Sequence, residues 1–270
     1  CSGNSAAMIA PSPVDGNCSV LHGLVSGSEW SGVPLGLLLE EAGVKPSGKW
    51  LIASGADAAG MSRSIPLSKI YDDAIVALYQ NGERLRPGNG YPMRLFLPGW
   101  EGNASVKWLK TLQVTDQPAM TKDETSKYSD LGDAGRAALF TFEMGVKSLI
   151  TSPSPGLELT AKGLYQISGI AWSGAGRINR VEVSSDAGMT WAQAHLDAEP
   201  MAKSLSRFRA AWRWQGQRSV LLSRATDEAG QVQPTRTAVL KGRAPGSFYH
   251  YNGIQAWQVD SNGAVRNVYV

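Results

Sequence analysis

The run NGYPMRLFLPGWEGNASVKWLK, residues 89–110, decides how the first half of the chain is read. Tyr91 to Leu97 is largely apolar, Pro98-Gly99 is a turn pair, and Val106 to Val114 resumes an apolar run. The spacing predicts two strands around a glycine-bearing loop. Working backward, Asn81-Gly82 is a turn signal, and Ala74 to Tyr79 before it reads as a buried strand. Two helices are predicted upstream. One covers Pro34 to Ala42, with proline in the first turn and Gly43 just past the end. The other begins at Ser64 as its cap and runs toward Tyr71. Short helices among strands make this half α+β.

Working forward, the chain between Thr115 and Leu157 turns polar and irregular, with Pro118, Lys122-Asp123-Glu124 and Pro153-Ser154-Pro155-Gly156. A long connecting arm is expected there. From Leu157 short alternating runs recur between Gly, Asp and Pro turns: Tyr165 to Ile167, Val181 to Val183, Phe208 to Trp214, Val220 to Ala225. That rhythm predicts a β-sandwich. The expected partition is therefore residues 1–115, an arm over 116–156, and a sandwich over 157–270.

Composition narrows the function classes. With 30 glycines, 14 prolines and 43% hydrophobic residues, the chain is an ordinary globular one rather than a long-helix protein. Its net charge of +3 is scattered without a Lys/Arg cluster, so nucleic acid and anionic membrane are not expected partners. No stretch approaches the ~20 apolar residues of a membrane span. The two cysteines, Cys1 and Cys18, form no CxxC, which argues against a structural zinc or a disulfide scaffold and leaves one bridge between them open. Opening on Cys1 rather than Met, the chain is expected to have lost a leader and further sequence. A GxSxG elbow, a phosphate-binding P-loop, a dinucleotide GxGxxG after a strand and a CxxCH haem site are all missing.

Candidate chemistry is local. Cys1, in the loop Cys1-Ser2-Gly3-Asn4-Ser5, suits either a thiolate nucleophile or a soft ligand for one metal atom. Arg94, Lys107 and Lys110 can converge near the Pro98 to Asn103 loop, where glycines let amides approach a phosphate, or stand as solvated strand charges. His22, His195 and His250 lack metal-site spacing and read as surface or satisfied histidines. Trp172 and Trp191, beside glycine turns, read as sandwich core and anchors.

These segments resemble the sulfite oxidase superfamily of molybdenum enzymes. Cys1-Ser2-Gly3-Asn4 is similar to the family loop whose cysteine ligates molybdenum. His22-Gly23-Leu24 through Trp30-Ser31-Gly32-Val33-Pro34-Leu35 is similar to the stretch that follows it. Gly90-Tyr91-Pro92-Met93-Arg94 through Pro98-Gly99-Trp100-Glu101-Gly102-Asn103 to Val106-Lys107-Trp108 resembles the family's most recognisable block. Ala171-Trp172-Ser173-Gly174 and Val181 to Trp191 resemble its immunoglobulin-like dimerisation domain.

The resemblance implies an α+β molybdopterin-binding domain, its N-terminal part missing, followed by an immunoglobulin-like β-sandwich that forms a homodimer. It implies a molybdenum-molybdopterin cofactor with Cys1 on the metal, and Cys1, Ser2, Asn4, Arg94, Gly102, Asn103 and Lys107 around the pterin. Arg243 is the counterpart of an arginine that binds the oxyanion.

Ser5, where sulfite oxidases usually carry arginine, and Gly60-Met61-Ser62-Arg63, where they carry a tyrosine, look more like the periplasmic sulfane dehydrogenase branch. So does the tail Phe248-Tyr249-His250-Tyr251-Asn252-Gly253. That branch oxidises sulfane sulfur on a carrier protein, by oxygen-atom transfer from an oxo-molybdenum centre, and passes electrons to a c-type cytochrome. The neighbouring readings are sulfite as substrate, or a non-catalytic sandwich interaction module.

Overall fold

The computed structural model describes residues 7–138, 140–244 and 249–270. Its contacts define two compact units, one of residues 26–129 with 138–142, the other of residues up to 25 with 130–137 and 143–270.

The strands of the first unit are β1 (Trp30–Pro34), β2 (Trp50–Gly55), β3 (Ser62–Pro66), β4 (Ile75–Gln80), β5 (Glu83–Arg84), β6 (Arg94–Phe96) and β7 (Leu109–Thr115). β4 pairs antiparallel with β1, β5 and β6, and β2 pairs antiparallel with β3 and β7. A helix at Leu35–Ala42 closes on Gly43, whose φ of 76° lets its amide reach back to the carbonyls of Leu39 and Glu40. Leu35 and Leu39 turn inward and join Leu51, Ile65, Leu95 and Val106 in one core. Burial of each such side chain contributes about 1.5–3 kcal/mol.

The second helix differs from expectation. Ser64 lies inside β3, and the helix runs over Leu67–Asp72. Pro66 is the reason: the residue before a proline is pushed out of the helical region, so Ser64-Ile65 stays extended against β2. Ser64 instead donates its amide to Glu124 Oε1 at 2.5 Å and its hydroxyl to Oε2 at 3.0 Å. Arg63 beside it is fully buried, 3.7 Å from Glu124 and 4.8 Å over the Tyr128 ring.

In the second unit a small ribbon pairs β8 (Asp130–Leu131) with β9 (Ala137–Ala138). The larger strands are β10 (Lys147–Ser152), β11 (Gly163–Trp172), β12 (Ile178–Ser184), β13 (Ala192–Gln193), β14 (His195–Leu196), β15 (Ser206–Trp214), β16 (Ser219–Asp227), β17 (Ala256–Val259) and β18 (Val265–Val268). They form two antiparallel sheets, β10-β11-β15-β14 and β13-β12-β16-β17-β18, sharing a core around Leu149, Phe208, Trp212, Val181, Leu221 and Trp257. This is the predicted sandwich.

Two expected boundaries shift. The arm expected over 116–156 contains ordered elements, a helix at Lys122–Lys127 and the sandwich strand β10. β10 escaped because its buried residues include polar ones. Lys147 donates to the Tyr251 carbonyl at 3.1 Å beside the Trp172 and Tyr251 rings, and Ser148 bonds Gln233 and Ser223. Residues up to 25, expected with the α+β half, group with the sandwich, because Met8, Cys18 and Leu21 bury their apolar side chains in its core. Cys18 is a buried free thiol. Among the described residues no helix is long and apolar enough to cross a membrane.

Candidate functional site

Arg94 opens β6, paired with Ala77 on β4. Strand alternation sends Leu95 into the core, where it is fully buried, and leaves Arg94 and Phe96 on the opposite face. There Trp30 stacks on Phe96 with centroids 4.6 Å apart, and the Arg94 guanidinium lies 4.9 Å over the Trp30 ring. Arg94 donates from Nη1 to the Asn89 carbonyl at 3.1 Å and from Nη2 to the Ser105 carbonyl at 2.8 Å.

Residues 105–109 run alongside β6, held by the Leu95 amide on the Val106 carbonyl and the Leu109 amide on the Met93 carbonyl. This brings Lys107 to the same turn, its Nζ donating to the Gly88 carbonyl at 3.0 Å while lying 4.4 Å over the Trp108 ring. Trp108 Nε1 donates to the Pro87 carbonyl at 2.9 Å. Three consecutive carbonyls, Pro87, Gly88 and Asn89, are thus each engaged by a different side chain. Gly90 makes the arrangement possible. Its φ is 109°, and a Cβ there would sit 3.1 Å from the Cβ atoms of both Arg94 and Lys107.

The electrostatics are unbalanced. Among the described residues no carboxylate pairs with Arg94 or Lys107, and Arg94 Nε is buried without a partner. Burial pushes the Arg94 pKa down to about 10, so the group remains cationic at neutral pH at a desolvation cost. A partly buried cation pair without a counter-charge suits an anionic ligand, and guanidinium geometry matches a phosphate. Two residues before Ser105, whose carbonyl Arg94 engages, the Asn103 side chain has both amide atoms buried and unbonded, donors and acceptors left for something other than protein.

The structure therefore brings Arg94 and Lys107 together, but on the Pro87–Gly90 turn rather than on the Pro98 to Asn103 loop. Lys110 lines a separate cleft with Asp57, Tyr91 and Trp108. The lysine that reaches the Pro98 loop is Lys69, donating to the Pro98 carbonyl at 2.7 Å and paired with Asp73. Sequence reading missed Asn89 and Trp30; the Pro-Gly-Asn-Gly turn was the signal for the first, and an aromatic that meets its partner from a strand more than sixty residues away leaves none. Gly102 is exposed on a short 3-10 turn. Cys1, Ser2 and Asn4 lie outside the described residues. Arg243 sits in the sandwich unit, where it donates to the His250 carbonyl at 2.9 Å and lies 3.3 Å from the buried carboxylate of Asp130.

Of the histidines, His22 is buried, its Nε2 3.0 Å from Gln255 Oε1 and its ring edge-on to Trp257. Gln255 Nε2 donates to Asn267 Oδ1 at 2.8 Å, and Asn267 donates to the Val14 carbonyl at 2.9 Å. With Gln255 Oε1 an acceptor only, His22 Nε2 carries a proton.

A profile described as the oxidoreductase molybdopterin binding domain matches residues 1–122, and one described as the Mo-co oxidoreductase dimerisation domain matches residues 138–255. The crystal structure of the sulfane dehydrogenase SoxCD from Paracoccus pantotrophus is similar over 100% of this chain and 69% of that one, with 46% identity and a TM-score of 0.95. The chain belongs to the sulfite oxidase family. This family member carries a molybdopterin-binding domain followed by an immunoglobulin-like dimerisation domain, and its cofactor is of the molybdopterin class. Mitochondrial sulfite oxidases of Drosophila melanogaster and Homo sapiens are similar to it at 34% and 30% identity, over 66% and 80% of the chain. The NADH nitrate reductase of Solanum lycopersicum is 32% identical over 78% of the chain. The chain spans only 35%, 44% and 27% of those three relatives' lengths.

The residues at this site fit the phosphate of such a cofactor. The uncompensated Arg94 and Lys107 supply the cationic end, and Asn103 supplies an unbonded amide.

Proposed function

We propose that this chain is the cofactor-binding and dimerisation part of a molybdenum enzyme that oxidises sulfane sulfur on a carrier protein. One observation carries the cofactor half of that reading: two cations, Arg94 and Lys107, meet on one turn with no carboxylate paired to either among the described residues. Arg94 would clamp the pterin phosphate, Lys107 would add charge, and Gly90 keeps the turn close to both. Cys1 would fix the metal, with Ser2 and Asn4 in its loop and Gly102 and Asn103 toward the pterin. When bound, the molybdenum cofactor supplies oxygen-atom transfer and electron storage. The protein's part is to hold an anion in a partly dry site, where each charge acts more strongly than in water.

The substrate half rests on the 46% identical sulfane dehydrogenase. It supports sulfane sulfur as donor, the dimerisation domain supports a homodimer through the sandwich, and a carrier protein, a c-type cytochrome as acceptor and a periplasmic setting go with the branch of the family that the sequence resembles. In this reading Arg243, its charge met by Asp130, holds the His250 backbone in place for an anionic sulfur group. Sulfite itself is the second reading, favoured by the sulfite oxidase relatives.

The test is cytochrome c reduction by the molybdenum-loaded protein with its cytochrome, comparing a sulfane-loaded carrier protein with free sulfite. Faster turnover of the carrier supports the proposal, and faster turnover of sulfite replaces it with sulfite dehydrogenation. Inactivity on both with molybdenum bound would leave a non-catalytic module.

A further inference from the structure

Gln80 ends β4, just before the Asn81-Gly82 turn, and stands directly opposite Trp30 in the pairing of β4 with β1. Behind it the register slips. Ser31 faces Tyr79 and Gly32 faces Ala77, which leaves Leu78 as the extra residue of a bulge, a device that re-aims the side chains beyond it. The Gln80 carboxamide then spans two elements: Nε2 donates to Ser28 Oγ at 2.8 Å, and Oε1 accepts from Asn89 Nδ2 at 2.5 Å. Its far end is well founded. The Glu29 amide donates to Asn81 Oδ1 and the Asn81 amide to the Glu29 carbonyl, both at 2.9 Å, so the segment carrying Ser28 is tied to the same strand end. At the near end the amides of Asn89, Gly90 and Tyr91 close the turn on the carbonyls of Arg86 and Pro87, and the Asn89 carbonyl accepts from Arg94 Nη1. Every residue in this series belongs to the α+β unit.

We infer that Gln80 is a positioning residue: by holding the Asn89 side chain it fixes the carbonyl on which Arg94 is aimed, and so the direction in which that guanidinium meets a bound phosphate; this rests on the anion-holding role proposed for Arg94. The guanidinium is a rigid planar fork, so committing Nη1 and Nη2 to the Asn89 and Ser105 carbonyls decides where its remaining N–H groups point. A turn free to drift would carry the fork with it. The cross-strand pair divides the task, since the Trp30 ring supports the guanidinium from 4.9 Å while Gln80 fixes its target. A carboxamide suits the place, because it donates at one end, accepts at the other and brings no charge to compete with an anion.

Gln80→Met keeps the side-chain length and removes both bonds. It is compared in the full chain with the parent, with Arg94→Met and with the double variant. Inorganic phosphate is titrated calorimetrically into each cofactor-free chain, at a temperature where circular dichroism shows all of them folded. Amide exchange is followed over residues 89–91 in the same chains. Molybdenum per chain is counted after dialysis of the loaded forms.

The expected result for Gln80→Met is phosphate binding weakened by about fivefold or more, the share of one hydrogen bond, with faster exchange over 89–91 and less molybdenum retained. The double variant should bind phosphate no worse than Arg94→Met alone, because Gln80 acts through Arg94. Losses that multiply in the double variant overturn the inference. So does a Gln80→Met chain with a lower Tm and the parent's phosphate affinity, since Gln80 would then only stabilise the hairpin. If Gln80→Met does not fold, Ser28→Ala decides, since it removes one hydroxyl: phosphate weakened by about twofold with faster exchange supports the brace, and no change in either rejects it. Phosphate bound as well by Arg94→Met as by the parent refutes the role of Arg94 instead, and the exchange over 89–91 in Gln80→Met then judges the brace alone.

Discussion

Replacing Arg94 by methionine separates a ligand-holding cation from a structural one. The folded protein lowers the Arg94 pKa from 12.5 to about 10 by burial, a penalty on the charged form of about 3 kcal/mol. Against it stand two hydrogen bonds to the Asn89 and Ser105 carbonyls, each contributing about 1–2 kcal/mol net. The two sides nearly cancel, so in the cofactor-free protein Arg94→Met should change stability by less than about 1.5 kcal/mol, a few degrees in Tm. The loaded protein should behave differently. Loss of one charge-assisted contact to a phosphate removes about 1.5–3 kcal/mol of binding, a 10- to 100-fold weaker hold. Because a ligand bound only to the folded state stabilises it, the loaded protein's extra stability should fall by the same amount. Calorimetry on both forms, with molybdenum counted after exhaustive dialysis, gives the answer. A variant whose cofactor-free form is destabilised by more than 3 kcal/mol, while its loaded form keeps its molybdenum, would refute the reasoning, since Arg94 would then be a strut.

Other perturbations follow from the same geometry. Gly90→Ala forces a Cβ to 3.1 Å from Arg94 and Lys107 at a φ of 109°, and should cost about 1–3 kcal/mol and reduce cofactor content, read by urea unfolding and metal analysis. Arg243→Ala removes the guanidinium 3.3 Å from the Asp130 carboxylate, 9% exposed, and should destabilise by about 2–4 kcal/mol; adding Asp130→Asn should recover at least half, and failure to recover would show that the pair is not what matters. Cys18 has a folded pKa of about 11, raised by burial above an unfolded value near 9. Its contribution is therefore intact below pH 9 and lost as pH rises toward 11, by about 2 kcal/mol; Cys18→Ala should remove that part of the alkaline decline in urea midpoints.

The sequence showed the sandwich strands well because β11 and β15 are long and alternate, while β12 and β16 carry apolar runs bounded by turn residues. It showed the helix at Leu35–Ala42 because Pro34 and Gly43 bracket it. It concealed β10, where the buried face includes Lys147 and Ser148, which bond to Tyr251, Gln233 and Ser223, all remote in sequence. Ser64 misled for a related reason. Its polar atoms do cap a negative group, but the group is Glu124, sixty residues away, rather than a helix terminus. At the site, residue types identified Arg94 and Lys107, yet their shared target could not be read from spacing. Which carbonyls a long side chain reaches depends on the turn at Pro87–Gly90 and on the path of residues 105–109 alongside β6, both products of tertiary pairing.

The N-terminal segment's place in the sandwich also orders events in time. The described residues of the α+β unit are all present once the chain has grown to Phe142, and the widest of its strand pairs, Trp50 with Thr115, spans 65 positions. The sandwich closes late: Val14 meets Asn267 across 253 positions and Ser12 meets Tyr269 across 257. On a ribosome, the first unit can therefore fold while residues 7–25 still trail apolar Met8 and Leu21 into solvent, waiting for β17 and β18. The slow, aggregation-exposed stage of folding is the return of the tail to the head, as expected where loop closure precedes its reward. A chaperone able to shield the head, or a chain supplied in two pieces split at an exposed loop, should raise the yield of folded protein more than any strengthening of the early unit.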